Sequence, residues 1–187
     1  MIRSWGLITL GASSQPWFGD VTTASVALPD SFGKITLTVG STTRYQAGDR
    51  VLVAPQTATQ DVLKVDSIAS PTILNCQSEG NAKTHTHPTN TQLMLDIACS
   101  LVVIQMPSVT GNTATNSVWL GSDNTVGLNG SGSAFYQLFI NQDSAGNVMP
   151  SSYVYGQSSD FNTLRTSDGW MFPSIAGVKI SISAIVI

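Results

Sequence analysis

The sequence predicts an all-β chain: antiparallel β-sandwich or barrel, in jelly-roll-like modules. Three observations lead there. Short runs rich in Val, Ile, Leu and Thr recur at close spacing, and turn-forming residues separate them. The closing segment, "GVKISISAIVI", places Val178, Ile180, Ile182, Ala184 and Val186 on one side and Lys179, Ser181 and Ser183 on the other. That is the two-residue period of a half-buried strand.

The first run of strand signals comprises "SVAL" (25–28), "KITLTV" (34–39), "RVLVA" (50–54), "DVLKVDSI" (61–68) and "TILNC" (72–76). Between them lie Pro29-Asp30, Gly40-Ser41, Ala47-Gly48-Asp49, Pro55-Gln56 and Ser70-Pro71, all turn chemistry. "TQLMLDIACSLVVIQM" (91–106) fits both a helical stripe and an alternating pattern. The β-branched Val102-Val103-Ile104 favours one long strand or two abutting ones. After the polar connector "MPSVTGNTATNS", strands resume as "SVWLG" (117–121), "AFYQLFI" (134–140), "SYVYG" (152–156), "WMF" (170–172) and the closing strand. The connector predicts a boundary: residues 1–107 form an N-terminal β-rich domain with an extended N-terminal arm, and 108–187 a C-terminal sandwich-like domain.

Only 10% of the 187 residues are charged, against about 25% in an ordinary soluble domain. Uncharged polar surface is cheaper to desolvate than Lys or Glu, so this surface suits contact with other protein. The net charge of −3 and the scattered basic residues argue against direct nucleic-acid binding. No apolar run is long enough for a membrane helix. "MIRSWGLITLGASS" mimics a secretory signal and is expected to be retained. Cys76 and Cys99 sit in apolar runs and read as buried thiols rather than a disulfide framework.

Candidate chemistry is sparse. In "KTHTHPT", His85 and His87 are two residues apart, so in a strand both imidazoles face one way and reach one metal. A closed site needs about four ligands, and no third is apparent within one chain. Copies around a symmetry axis offer the missing ones; the plainer reading is a polar loop tip, so no metal and no cofactor are expected. "GLNGSGSAF" (127–135) lacks the Lys of a phosphate loop and reads as a glycine-rich turn. Asp123, Asp143, Asp160 and Asp168 lie among Ser, Asn and Gly, where Asp caps its own turn, so an enzyme is not expected. Tyr153, Tyr155 and Trp170 are candidate stacking surfaces for a sugar. Trp5, Trp17 and Phe18 lie in an irregular, glycine-containing stretch suited to a contact arm, and Ile185 and Ile187 make the polar side of the last strand apolar.

"RYQAGDRVLV" (44–53), continued by "DVLKVDSIASPTILNCQ", resembles a turn-into-strand phrase of small β-rich structural proteins of tailed bacteriophages. "NSVWLGSDNTVGLNG" through "GVKISISAIVI" is similar to phage head modules with the order V-x-L/I-G, a short loop, V-x-x-x-G, then a final strand. The resemblance implies a virion protein, assembled in the host cytoplasm, that decorates or cements a capsid. Its partners would be the major capsid protein and copies of itself, commonly as a trimer, with Trp5, Trp17, Phe18, Ile185 and Ile187 as contact residues. The alternative is a carbohydrate- or receptor-binding accessory module of the head or tail.

Overall fold

The computed structural model describes residues 1–28, 32–79, 85–110, 112–142, 148–156 and 164–187. In chain order the strands are β1 (Ile2–Thr9), β2 (Gln15–Pro16), β3 (Gly19–Val21), β4 (Val26–Leu28), β5 (Lys34–Thr38), β6 (Arg50–Val53) and β7 (Asp61–Ser70). Next come β8 (Ile73–Ser78), β9 (His85–His87), β10 (Gln92–Leu95), β11 (Ala98–Met106), β12 (Ser117–Gly121) and β13 (Ala134–Phe139). The last are β14 (Asn141–Gln142), β15 (Val148–Met149), β16 (Ser151–Gly156), β17 (Leu164–Arg165), β18 (Trp170–Pro173) and β19 (Lys179–Val186). The chain is all-β, as expected, and the pairings among the described strands are antiparallel. The expected turn at Pro29-Asp30 and the carboxylates of Asp143 and Asp160 lie outside the described residues.

Two compact units form: Met1–Trp17 with Ala98–Ile187, and Phe18–Ile97. The boundaries thus fall at 17/18 and 97/98, not at 107/108. The reason is pairing across the length of the chain. β1 zips onto β19, and β2 onto β18, so the first 17 residues are built into the C-terminal unit. The expected N-terminal arm is therefore the edge strand of a sheet.

In the unit that joins the two ends, one sheet runs β1-β19-β11-β16 with β17 also on β11, and a second runs β13-β12-β18-β2. Strand alternation sorts side chains between the faces. Ile180, Ile182 and Ala184 of β19, Val102, Ile104 and Met106 of β11, and Val118 and Leu120 of β12 are all buried. β1 follows the same rule: Arg3 and Trp5 turn inward and are buried, with the guanidinium 5.1 Å from the centre of the indole ring. Gly6, at φ 63°, then breaks the register between Ser4 and Leu7. A bulge of this kind needs a positive φ, which glycine supplies without a Cβ clash.

The expectation that Trp5, Trp17 and Phe18 form an exposed arm is corrected here. Trp17 is 0% exposed; Trp5 and Phe18 are buried as well. Trp17 is fixed by its backbone N–H, which donates to the Gly169 carbonyl at 3.0 Å, and by its indole Nε1–H, which donates to the Trp170 carbonyl at 2.7 Å. Trp170, expected on a sugar-binding surface, is likewise buried. Large apolar rings supply much of the burial that stabilises a small core, and this unit uses them there.

The unit Phe18–Ile97 carries a six-stranded sheet in the order β3-β10-β6-β7-β8-β5, and a separate ribbon of β4 with β9. Its core is mainly aliphatic (Leu37, Val51, Val53, Leu63, Val65, Leu74, Leu93 and Leu95), with the rings of Phe18 and Tyr45 buried as well. Arg50 donates from Nε to Glu79 at 2.7 Å and from Nη1 to Asp96 at 2.8 Å, tying the start of β6 to the end of β10. Among the described residues no helix is long and apolar enough to cross a membrane.

Candidate functional site

Three places in the fold offer something beyond a core. The first is the outward face of the sheet β1-β19-β11-β16. Its register sets side chains in rows across the strands. One row is Ile2, Ile185, Leu101 and Gly156; the next is Ser4, Ser183, Val103 and Val154; the third is Leu7, Ser181, Gln105 and Ser152. These three rows contain no charged residue; the row beyond them, Thr9 with Lys179, holds one lysine. Ile2 and Val154 are exposed, Ile185 is 40% exposed and Ile187, just beyond β19, 73%. The same sheet ends on β1 and β16, and neither edge carries the outward Lys or the Pro that usually blocks strand addition. β1 instead carries an inward-pointing charge, Arg3, and the bulge between Ser4 and Leu7, both of which discourage pairing along that edge. Of the five expected contact residues, then, Ile185 and Ile187 are at the surface.

The second place is an aromatic seam in the same unit, where β13 approaches β16. Tyr136 and Tyr153 have ring centres 4.5 Å apart, and Phe135 lies 5.9 Å from Tyr153 and 6.3 Å from Tyr155. Tyr153 and Tyr155 stack at 6.3 Å because alternation places them on one face of β16. Trp17 sits beneath, edge-on to Tyr155 at 5.6 Å. Phe135 and Tyr136 are exposed, and the two tyrosines of β16 are half-buried. Partial burial, and the neighbouring phenols Tyr155 and Tyr136, raise the Tyr153 hydroxyl above its usual range. The Tyr153 hydroxyl therefore stays protonated at physiological pH.

The third place is in the other unit. β9 presents His85 and His87 to one side, since they are two residues apart on a strand that pairs with β4. Facing them is Asp61, the first residue of β7. The Asp61 side chain is 1% exposed, and His87 is also buried. His87 Nε2 lies 2.7 Å from Asp61 Oδ2, and His85 Nδ1 lies 3.0 Å from each carboxylate oxygen. An ionised carboxylate only accepts, so an imidazole nitrogen bonded to one must be the donor. Burying a carboxylate is unfavourable without such partners, which explains why the three side chains cluster. Sequence reasoning identified the histidine pair but not Asp61. The ligand-like spacing of His85 and His87 was visible; the approach of a residue 24 positions upstream was not.

The remaining sequence candidates resolve simply. Asp123 accepts from the backbone N–H and hydroxyl of Thr125, which lowers its carboxyl below the usual range. Asp168 accepts from the Arg165 backbone N–H at 2.6 Å. Both cap their own turns, as read from the sequence. In the glycine-rich stretch, Leu128–Gly130 form a short 3-10 turn, and Gly132 at φ 67° passes so near the Thr125 carbonyl that a Cβ would sit 1.8 Å from its oxygen.

Cys76 and Cys99 are both free and buried. Burial, reinforced by Asp66, pushes the Cys76 thiol up to about 12; burial, with Asp168 adding and Arg165 opposing, pushes Cys99 up to about 11. Neither is a thiolate at neutral pH, so neither is a nucleophile or a ready soft metal ligand. Accordingly, a thiol reagent such as DTNB should label neither cysteine in the folded chain and both in denaturant. Stoichiometric labelling of the native protein would contradict this placement.

No family model, no curated protein and no solved structure matches the chain.

Proposed function

We propose that the chain is a structural subunit of a virion, one that associates with copies of itself and decorates or cements a capsid. The observation that carries this reading is the outward face of β1-β19-β11-β16, whose three central rows are uncharged and partly apolar, with Lys179 as the one charge at the end of β19. An antiparallel sheet facing water ordinarily alternates apolar-in with polar-out and keeps charge on its open side. Here Ile2, Ile185, Leu101, Val103 and Val154 occupy that side, with Ser and Gln between them. Such a surface loses little on desolvation and gains by covering apolar area. The occupant that fits is a second copy of the chain, and the assembled copies then bind capsid protein. Repetition on a lattice multiplies weak contacts into firm attachment. The resemblance of the strand-and-turn phrases to tailed-phage head proteins supports the same reading.

Ile185→Asp and Val154→Asp test it. Both side chains are exposed, so both variants should fold with Tm close to the parent. Binding to purified capsid particles, read by co-sedimentation, should fall at least tenfold in each. Undiminished binding by both would remove the proposal.

A second reading is favoured by the aromatic seam. Phe135, Tyr136, Tyr153 and Tyr155 form an aromatic platform onto which sugar rings would stack, the mark of a carbohydrate- or receptor-binding accessory module. Trp170 takes no part because it is buried. Glycan-array binding lost on Tyr136→Ala but retained on Ile185→Asp would select this reading over the first.

A further inference from the structure

We propose that Asp61, His85 and His87 form a divalent transition-metal site, zinc foremost, that clips the β4-β9 ribbon to β7. Three features point there. The donor set, two imidazoles and a carboxylate, is one that zinc takes in its three-ligand sites. The donor atoms converge: Asp61 Oδ, His85 Nδ1 and His87 Nε2 lie within 4.8 Å of one another. Asp61 and His87 are buried, so the cluster is not a set of solvated surface groups that happen to be close.

The fit is also quantitative. A tetrahedral ion with bonds of about 2.1 Å holds its ligand atoms about 3.4 Å apart. The carboxylate–imidazole separations of 3.0 and 2.7 Å are short of that by about 0.4 and about 0.7 Å, and the two imidazole nitrogens lie within 4.8 Å of each other, so the three side chains must adjust by torsion to close on an ion. Binding would replace the two N–H···O contacts with metal bonds, and the single hydrogen of each neutral imidazole would pass, by exchange with solvent, from His85 Nδ1 and His87 Nε2 to the other ring nitrogen with no net proton released. Of the three, His85 is the most exposed, at 22%, so water would reach the ion from that side as a fourth ligand.

The structural consequence follows from topology. β9 pairs with β4 in a two-stranded ribbon, whereas Asp61 belongs to the six-stranded sheet through its pairing with Val53. One ion bridging β9 and β7 would tie these elements together. An ion that binds only the folded chain raises its stability by mass action.

The experiment uses the full chain without an affinity tag, stripped with a chelator, and zinc chloride or cobalt chloride as the probe. The expected result is about one zinc per chain by calorimetry, an intense visible cobalt band of the four-coordinate kind, and a Tm rise of about 5–10 °C at a hundredfold excess over Kd. Asp61→Asn keeps the shape of the side chain but weakens the ligand, and His85→Ala removes the most exposed one. Each should lower zinc affinity at least tenfold. If Asp61→Asn does not fold, His85→Ala decides alone. Zinc uptake far below one ion per chain, or wild-type affinity in His85→Ala, overturns the proposal. Neither outcome bears on the sheet-face reading, since the cluster lies in the other unit.

Discussion

Trp17→Ala should destabilise the chain by about 4 kcal/mol, the middle of the range for emptying a buried aromatic site. The indole is fully buried and lies against Tyr155 and Phe135, with ring centres 5.6 and 6.2 Å away. Its removal also strips the Trp170 carbonyl of an Nε1–H donor held at 2.7 Å. A buried acceptor left without its donor adds to the cost of the cavity. For a chain of this length the loss corresponds to a fall in Tm of about 10 °C or more. Thermal and urea unfolding followed by circular dichroism measure it. The reading of Trp17 as an exposed arm expects the contrary, an unchanged Tm and impaired association.

Gly169→Ala should cost about 3 kcal/mol, at the upper end for overpacking a core. A Cβ built on Gly169 lies 2.1 Å from Cδ2 and Cε2 of the Trp17 ring. The ring cannot retreat, because its Nε1–H is bonded to Trp170 and the backbone N–H of Trp17 is bonded to Gly169 itself. Either the indole leaves its site or β2 separates from β18. The cause can be isolated by a double-mutant cycle. In the Trp17→Ala background the new methyl enters the vacated space, and Gly169→Ala should then cost under about 1 kcal/mol. An equal cost in both backgrounds would show that the clash is not with Trp17.

Strands whose alternation is unbroken were legible: "SVWLG" is β12 over the same residues, "RVLVA" contains β6, and the closing run is β19. The ambiguous 91–106 segment resolves into β10 and β11, separated at Asp96-Ile97, where Asp96 turns aside to meet Arg50. β1 was not legible. Its inward positions hold Arg3 and Trp5, and the bulge at Gly6 shifts the phase, so the period of two is lost after four residues. The unit boundaries were hidden for a related reason. Pairing of Ile2 with Ile185 and of Pro16 with Trp170 joins positions more than 150 residues apart, which no local pattern encodes.

The candidate sites divide the same way. The apolar outer side of β19 at Ile185 and Ile187 was visible as a breach of alternation, while its continuation through Leu101, Val103 and Val154 depends on strand order. The tyrosines of β16 were visible as candidate stacking surfaces; their neighbours Phe135 and Tyr136 come from a different sheet. The histidine pair was visible as spacing, and Asp61 entered only through the fold. Local chemistry was legible wherever one strand carries it, and not where two strands must meet.

The central claim is that the open face of β1-β19-β11-β16 is covered by a second copy of the chain, and sedimentation velocity of the isolated protein tests it most directly. The wild-type chain should sediment as an oligomer, with a trimer foremost, at micromolar concentration, and Ile185→Asp should sediment as a folded 19.7 kDa monomer. A wild-type chain that remains monomeric at the highest attainable concentration, indistinguishable from Ile185→Asp, would contradict it.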